Sequence, residues 1–224
     1  MKQIIKNNEP RSLIQHRAQR GNYDNLNKDE LRTSLIAEQG HICCYCMCRI
    51  PHKLKPEEIE KNYPDSKIEH VKCQSKNRTI ELTYQNLLLS CNGKHGYPRQ
   101  MQTCDSYKGE NDLSFNPADT HRNIEGFIKY SANGEIFSDD ETINQELNEV
   151  LNLNTKDLKD IRELFYKDIQ TRIIREGKKR KGKDIQKRFY ESEKQQLLTL
   201  KDGKFEPYCM IGIYLINKKL SKYN

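Results

Sequence analysis

In the second half of the chain, apolar residues recur at helical spacing. Ile143, Leu147, Val150 and Leu151 fall three or four apart. Leu158, Ile161, Leu164 and Phe165, followed by Ile169, Ile173 and Ile174, predict a longer helix. A basic run breaks that stripe. Residues 184–200 resume it with Phe189, Leu197 and Leu198, and Cys209 to Leu220 forms a last apolar segment. The first half has a different texture. Its opening stretch, roughly the first 25 residues, is polar and basic with Pro10, Gly21 and several Asn, and predicts an irregular arm. Asn27-Lys28-Asp29-Glu30 then predicts a helix start, with Asn27 capping free amides and Glu30 bonding back three residues on. Leu31, Leu35 and Ile36 supply its apolar stripe, and Gly40 a left-handed stop.

Shorter signals follow. Residues 51–66 carry three prolines and many charges, which predicts a surface insertion with one helical turn. Ile68-Glu69-His70-Val71 and Leu87-Leu88-Leu89 predict two short strands, and Cys104 opens a short helix that Gly109 ends. Ile124 to Ser138 predicts a hairpin turning on Asn133-Gly134. The expected fold class is α+β: a cysteine-rich α+β unit over residues 1–140 with its N-terminal arm, then a helical extension over residues 141–224.

Composition changes this picture in two ways. Only 34% of residues are hydrophobic against 32% charged, Trp is absent, and mean hydropathy is −0.98. Such a chain buries a modest core, so a metal staple would add much to its stability. The formal net charge is +7, and the cations gather at Lys178-Lys179-Arg180-Lys181 with Lys183, Lys187 and Arg188. A solvated helix face or a disordered loop explains such a run about as often as a phosphate track does, so charge alone decides nothing. No apolar stretch approaches a membrane span and the first residues lack a secretory apolar core, so no membrane association and a cytoplasmic location are expected. In that compartment eight cysteines predict metal ligands or reactive thiols rather than disulfides.

Five of the eight (Cys43, Cys44, Cys46, Cys48 and Cys73) fall within a short span, with Cys91 and Cys104 following and Cys209 apart. Structural zinc wants four soft ligands, commonly from two knuckles of close spacing. Cys43 and Cys46 form the preferred first pair, with Cys44 and Cys48 as rivals in the same stretch. The second pair comes from Cys73, Cys91, Cys104 and Cys209; Cys91 and Cys104 end a strand and open a helix, so zinc would close the loop between them. Buried, incidental thiols are the plain alternative, because free Cys is among the most buried residue types.

Between the knuckles lie Glu69-His70-Val71, then Gln85-Asn86-Leu87-Leu88-Leu89-Ser90-Cys91, then Cys104-Asp105-Ser106-Tyr107-Lys108-Gly109. Interleaved with Cys43-Cys44-Tyr45-Cys46, this order resembles the HNH endonuclease family. Across nearly the whole chain, through the opening segment, the Cys104–Gly109 box, the Asn133-Gly134 hairpin and Leu151-Asn152-Leu153-Asn154 at the start of the long helix, it is similar to the PtuB-like members found in Septu and retron-linked anti-phage defence systems. The resemblance implies a zinc-stabilised ββα-metal, treble-clef-like core with a helical C-terminal extension. It also implies that Glu69 and Asp105 hold a catalytic Mg²⁺ or Mn²⁺, that His70 is the general base, and that Asn86 fixes the hairpin orienting it. Lys108 would approach a phosphate, with Lys72, Lys94 and Arg99 as the other candidate nucleic-acid contacts. Two positions depart from the family: Asp105 stands where His or Asn is usual, and residues 92–103 open a knuckle that is often C-x-x-C. A carboxylate suits a hard cation, so Asp105 is compatible with that role.

The implied function is metal-dependent hydrolysis of DNA within a complex containing an ABC-type, PtuA-like ATPase. Alternatives are an RNase acting on tRNA with the same site, a non-catalytic zinc-ribbon that grips nucleic acid, and an adaptor. The adaptor would dock its partner through Leu158, Ile161, Phe165 and Ile169, a stripe better explained by core packing. Each site residue has a bland reading too. A lone histidine is more often a surface or core residue than a base, Asn86 could be a turn residue, and Asp105 could serve only as an anion at a helix N-terminus. His95 and His121 fall in loops and are read as non-catalytic, His95 with a possible substrate contact.

Overall fold

With only 34% of its residues hydrophobic, the chain draws its buried core from positions along its whole length, from Met1 to Ile216. The computed structural model describes residues 1–51 and 53–223; His52, inside the expected surface insertion, lies outside them. The architecture is mixed α+β, mostly helical, with two small two-stranded sheets among the described residues. In order come α1 (Arg11–Ala18), α2 (Asp29–Glu38), α3 (Pro56–Glu60), β1 (Ser66–His70), β2 (Leu87–Cys91) and α4 (Cys104–Lys108). The hairpin β3 (Lys129–Tyr130) and β4 (Ile136–Phe137) leads to α5 (Glu141–Gln145), which runs on as a π-helical turn over Glu146–Val150. Helix α6 (Lys156–Ile169) continues through a π-helical stretch, Gln170–Arg175, into α7 (Glu176–Lys179), and α8 (Lys183–Leu198) and α9 (Cys209–Leu220) complete the chain.

Strands β1 and β2 pair antiparallel, with Ser66 opposite Cys91 and His70 opposite Leu87. All five residues of β2 are buried, as a strand covered on both faces requires, and α2 and α4 pack against it. Helix α9 is apolar around most of its circumference and therefore sits inside, against α8, α6 and β3. One core joins the two parts of the sequence: Tyr130 of β3 meets Tyr214 of α9 edge-on at 5.9 Å between ring centroids.

The opening segment is not an irregular arm. It forms α1, Met1, Ile4 and Leu13 are buried, and the Lys6 ammonium donates to the Leu87 carbonyl at 2.9 Å. Its apolar residues are too sparse to show a period, so tertiary contact rather than pattern orders it. The capping box expected at α2 is also absent. Asn27 Oδ1 accepts from the Asp29 amide at 3.0 Å, while Glu30 turns away to accept from the Ser12 amide of α1 at 3.0 Å. Gly40 ends α2 with φ +53, as expected. The hairpin does turn at Asn133-Gly134, although its strands are two residues each.

A single buried cation ties that hairpin to the helical half. Arg162 of α6 is 1% exposed; its Nε donates to the Gly134 carbonyl at 2.6 Å, and one terminal nitrogen donates to Leu153 O at 2.7 Å and Asn154 Oδ1 at 3.0 Å. Arg162→Met keeps much of the volume but leaves three buried acceptors without this donor. We expect a loss of about 3 kcal/mol in urea unfolding with an unchanged slope; an unmoved midpoint would show that the guanidinium is not the tie.

Candidate metal centre and active site

The cysteine cage comes from three separated segments. Cys43 and Cys46 lie in the turn after α2, where Met47 takes φ +65 and its amide donates to the Cys43 carbonyl at 3.2 Å. Cys91 ends β2 and Cys104 opens α4. The four sulfurs lie within 4.8 Å of one another, all buried, with Cys43 to Cys104 at 3.9 Å and Cys46 to Cys91 at 3.7 Å. Tetrahedral zinc with Zn–S bonds of about 2.3 Å places its sulfurs about 3.8 Å apart, so the donor set and spacing fit a structural zinc ion. Among the described residues this cluster excludes Cys44, Cys48, Cys73 and Cys209. The Cys43 sulfur also accepts from the Cys91 amide at 3.3 Å, a bond that favours a thiolate. Cys46 is lowered to about 6, chiefly by the neighbouring Cys104 thiol.

The long loop over residues 92–103 does not separate the second pair, because it is pinched at its neck. The Thr103 amide donates to the Gly93 carbonyl at 3.0 Å, and Ser106 Oγ donates to Asn92 O at 2.8 Å. Gly93 has φ +61, and a Cβ there would come within 2.3 Å of the Thr103 carbonyl oxygen, so only glycine closes this neck.

Beside the cage stands a carboxylate pair. Glu69 is fully buried on β1; its Oε1 accepts from Tyr45 Oη at 2.7 Å and faces the Lys108 ammonium at 3.0 Å, while Oε2 has no hydrogen-bond partner among the described residues. Asp105, one residue past the cage ligand Cys104, is held by Lys67 at 2.5 Å. Burial, with Asp105 close by, pushes the Glu69 carboxyl well above the usual carboxylate range, although Lys108 and Tyr45 oppose this. For Asp105, burial is outweighed by Glu69 and Lys67, and the group lies below its ordinary value. Two carboxyls so placed keep a proton between them unless a cation replaces it.

His70 is the last residue of β1. Its Nε2 lies 3.0 Å from the Glu81 carbonyl, which can only accept, so in the neutral ring Nε2 carries the proton and Nδ1 keeps the lone pair. Tyr23 packs edge-on against the imidazole at 4.3 Å, and burial lowers the pKa of the ring. The loop that follows is closed by Asn86: its Oδ1 accepts from the Lys72 amide at 2.8 Å and its Nδ2 donates to the Lys72 carbonyl at 3.0 Å. His70, Asp105 and Lys108 line one cleft of about 260 Å³, with Tyr23, Cys73 and Glu110 on its other walls.

The four lysine and arginine candidates scatter. Lys108 is buried, its ammonium also donating to the His70 carbonyl at 2.8 Å, so it points into the protein. Lys72 is exposed and donates to Leu113 O at 2.8 Å. Lys94 pairs with Asp157 on a different cavity of about 480 Å³ on the Cys46 and Cys91 side, and Arg99 stacks on Tyr107 at 4.0 Å. His95 and His121 are exposed and lie outside the cleft. Tyr45, Lys67, Tyr23 and the Glu81 carbonyl are site groups that the sequence reading does not pick out. Tyr45 sits inside the Cys43–Cys46 spacing, a position that could have marked it; nothing in the opening segment marks Tyr23.

No family model matches this chain, and no curated protein matches it. Among the described residues, no helix is long and apolar enough to cross a membrane. The cage makes a direct prediction: purified protein carries one zinc per chain by elemental analysis. Cys104→Ser should lose the zinc together with cooperative unfolding, whereas Cys48→Ser keeps both. Full zinc in Cys104→Ser would remove that residue from the cage.

Proposed function

We propose that this chain is a metal-dependent endonuclease of the HNH type, with a ββα-metal core made of β1, β2 and α4 and its chemistry in the cleft at His70. The observation that carries the reading is that a histidine with a free Nδ1 and the Asp105 carboxylate line one cleft, with the buried Glu69 carboxyl, one oxygen of which has no donor among the described residues, directly behind Asp105. A zinc ribbon that only binds needs none of these, and burying two neighbouring carboxyls is costly even with the partners they have.

The donor set suits a hard cation, since both groups offer carboxylate oxygens and a cation would take the place of the proton that the two carboxyls share. Glu69 and Asp105 would hold Mg²⁺ or Mn²⁺, which would supply charge neutralisation at the phosphate and at the departing 3′-oxygen. The chain's own residues do the rest. His70 Nδ1 takes the proton of a water as its oxygen bonds to phosphorus and the P–O3′ bond breaks, and the departing 3′-oxygen takes a proton from solvent, leaving a 5′-phosphate and a 3′-hydroxyl. The Glu81 carbonyl keeps the ring in that tautomer, and burial keeps it neutral near pH 7, the form that accepts the proton. Asn86 holds the loop leaving His70 at fixed length, and Tyr45 fixes the rotamer of Glu69 from the zinc knuckle. Lys108 and Lys67 act as counter-charges to the two carboxylates rather than as phosphate contacts.

DNA is the proposed substrate and an ABC-type ATPase the proposed partner, both on the motif resemblance. Plasmid DNA and bulk tRNA should be incubated with wild type and His70→Ala, in Mg²⁺, Mn²⁺ or EDTA, with and without the candidate ATPase. Cleavage of DNA should need the cation and fall about 10²–10⁴-fold in His70→Ala, which keeps its zinc. Undiminished cutting by His70→Ala would sink the assignment. Cutting of tRNA alone would move the substrate to RNA, and no cutting by zinc-loaded wild type in any arm would leave the binding module.

A further inference from the structure

The basic run and the end of α9 are distant in sequence and adjacent in the fold. Helix α8 packs along α9, and Tyr223, just past α9, donates its hydroxyl to Gln186 Oε1 at 2.6 Å. Lys178, Lys218 and Lys222 all press on Lys219, whose pKa is lowered first by burial and then by these three like charges. Residues 176–188 and 217–223 together hold ten cations and two carboxylates, Glu176 and Asp184, a net +8. The whole chain is +7, so this one surface accounts for the protein's entire positive excess.

The surface is also built rigidly. The α7–α8 corner closes tightly, since a Cβ on Gly177 would meet the Tyr190 ring at 2.4 Å. The Tyr190 hydroxyl donates to Ile174 O at 3.2 Å, and Gln186 Nε2 donates to Arg180 O at 2.7 Å inside the corner. Arg180 stacks on Phe189 at 4.1 Å and Lys179 pairs with Glu176 at 2.5 Å. Lys178, Lys181, Lys183 and Lys218 are exposed and form no ion pair among the described residues. Holding so many like charges together costs stability unless an anion relieves them.

We infer that this surface is a second nucleic-acid contact, a phosphate-backbone interface carried by the α7–α8 corner and the end of α9, separate from the cleft at His70. Eight of its ten cations are lysines, the residue depleted from protein–protein interfaces and suited to unselective phosphate contact as a point charge. Among the described residues its one large exposed apolar side chain is Ile185, too little to insert into a membrane. The interface would hold a polymer of either sequence or sugar in register with the protein and read no bases. Charge and placement alone define this surface, independently of the chemistry at His70.

The test uses the full-length, zinc-loaded chain in the His70→Ala background, so that nothing is cut. Lys178→Ala, Lys181→Ala, Lys183→Ala and Lys218→Ala are combined, with zinc content and circular dichroism as fold controls. Binding of a labelled DNA duplex of about 20 base pairs, long enough to span several phosphate contacts, is followed by anisotropy across salt. The combined variant should bind at least about tenfold more weakly, and its slope of log K against log salt should flatten by roughly 0.9 for each phosphate that it no longer neutralises. In the His70 wild-type background the same four changes should leave hydrolysis of bis(p-nitrophenyl) phosphate, a substrate too small to reach the patch, at its original rate. Equal affinity and equal slope would overturn the inference, as would unchanged duplex binding alongside abolished binding to phosphatidylserine vesicles. Patch-dependent binding by a wild type that never cleaves would retire the nuclease reading while leaving this one intact.

Discussion

Everything near the cleft depends on four sulfurs meeting at one point. They come from the turn after α2, the end of β2 and the start of α4, three segments that share no continuous secondary structure. A turn, a strand end and a helix start make few contacts of their own that would fix such segments, whereas a tetrahedral zinc bound there would fix them in distance and angle at once. The effect is passed on through short links. Tyr45 lies between two cage ligands and ends on Glu69, and Asp105 follows the ligand Cys104 directly. The carboxylate pair is therefore positioned by the same knuckles that bring the four sulfurs together, while His70 is fixed from the other side by Glu81 and Asn86.

Electrostatics at this point is a balance among groups that would each be costly alone. A fully buried Glu69 next to Asp105 is unfavourable in water-free surroundings. Two lysines and a tyrosine compensate on one side of the pair, and one carboxylate oxygen is left without a partner among the described residues. That residual imbalance marks the cleft more clearly than its size does, since the cavity of about 480 Å³ on the Cys46 and Cys91 side of the cage gathers no comparable carboxylate–histidine group.

Much of this was legible in the sequence where local rules operate. The helical spacing from Ile143 onwards, the stop at Gly40 and the turn at Asn133-Gly134 all correspond to elements in place. The cage could be narrowed to Cys43, Cys46, Cys91 and Cys104 because ligand spacing is itself a local signal, although only three-dimensional placement separates them from Cys44 and Cys48. What could not be read depends on contacts between distant segments. The order of the opening residues comes from Lys6 reaching Leu87 and Ile4 reaching Pro117, and the failed capping box from Glu30 preferring α1. Lys108 turns inward, against the phosphate contact its motif implies, because a buried glutamate draws it in, and a lysine on a short helix gives no sign of that partner.

The pinched neck at Gly93 and Thr103 separates two quantities usually treated as one, the number of residues between ligands and the distance between them. Once the neck is shut, residues beyond it can lengthen, shorten or change chemistry without altering the coordination sphere, much as a side road leaves a junction where it is. A pattern keyed to C-x-x-C at the second knuckle would pass over this chain, and a better signature is a glycine two residues after one cysteine and a small polar residue just before the next.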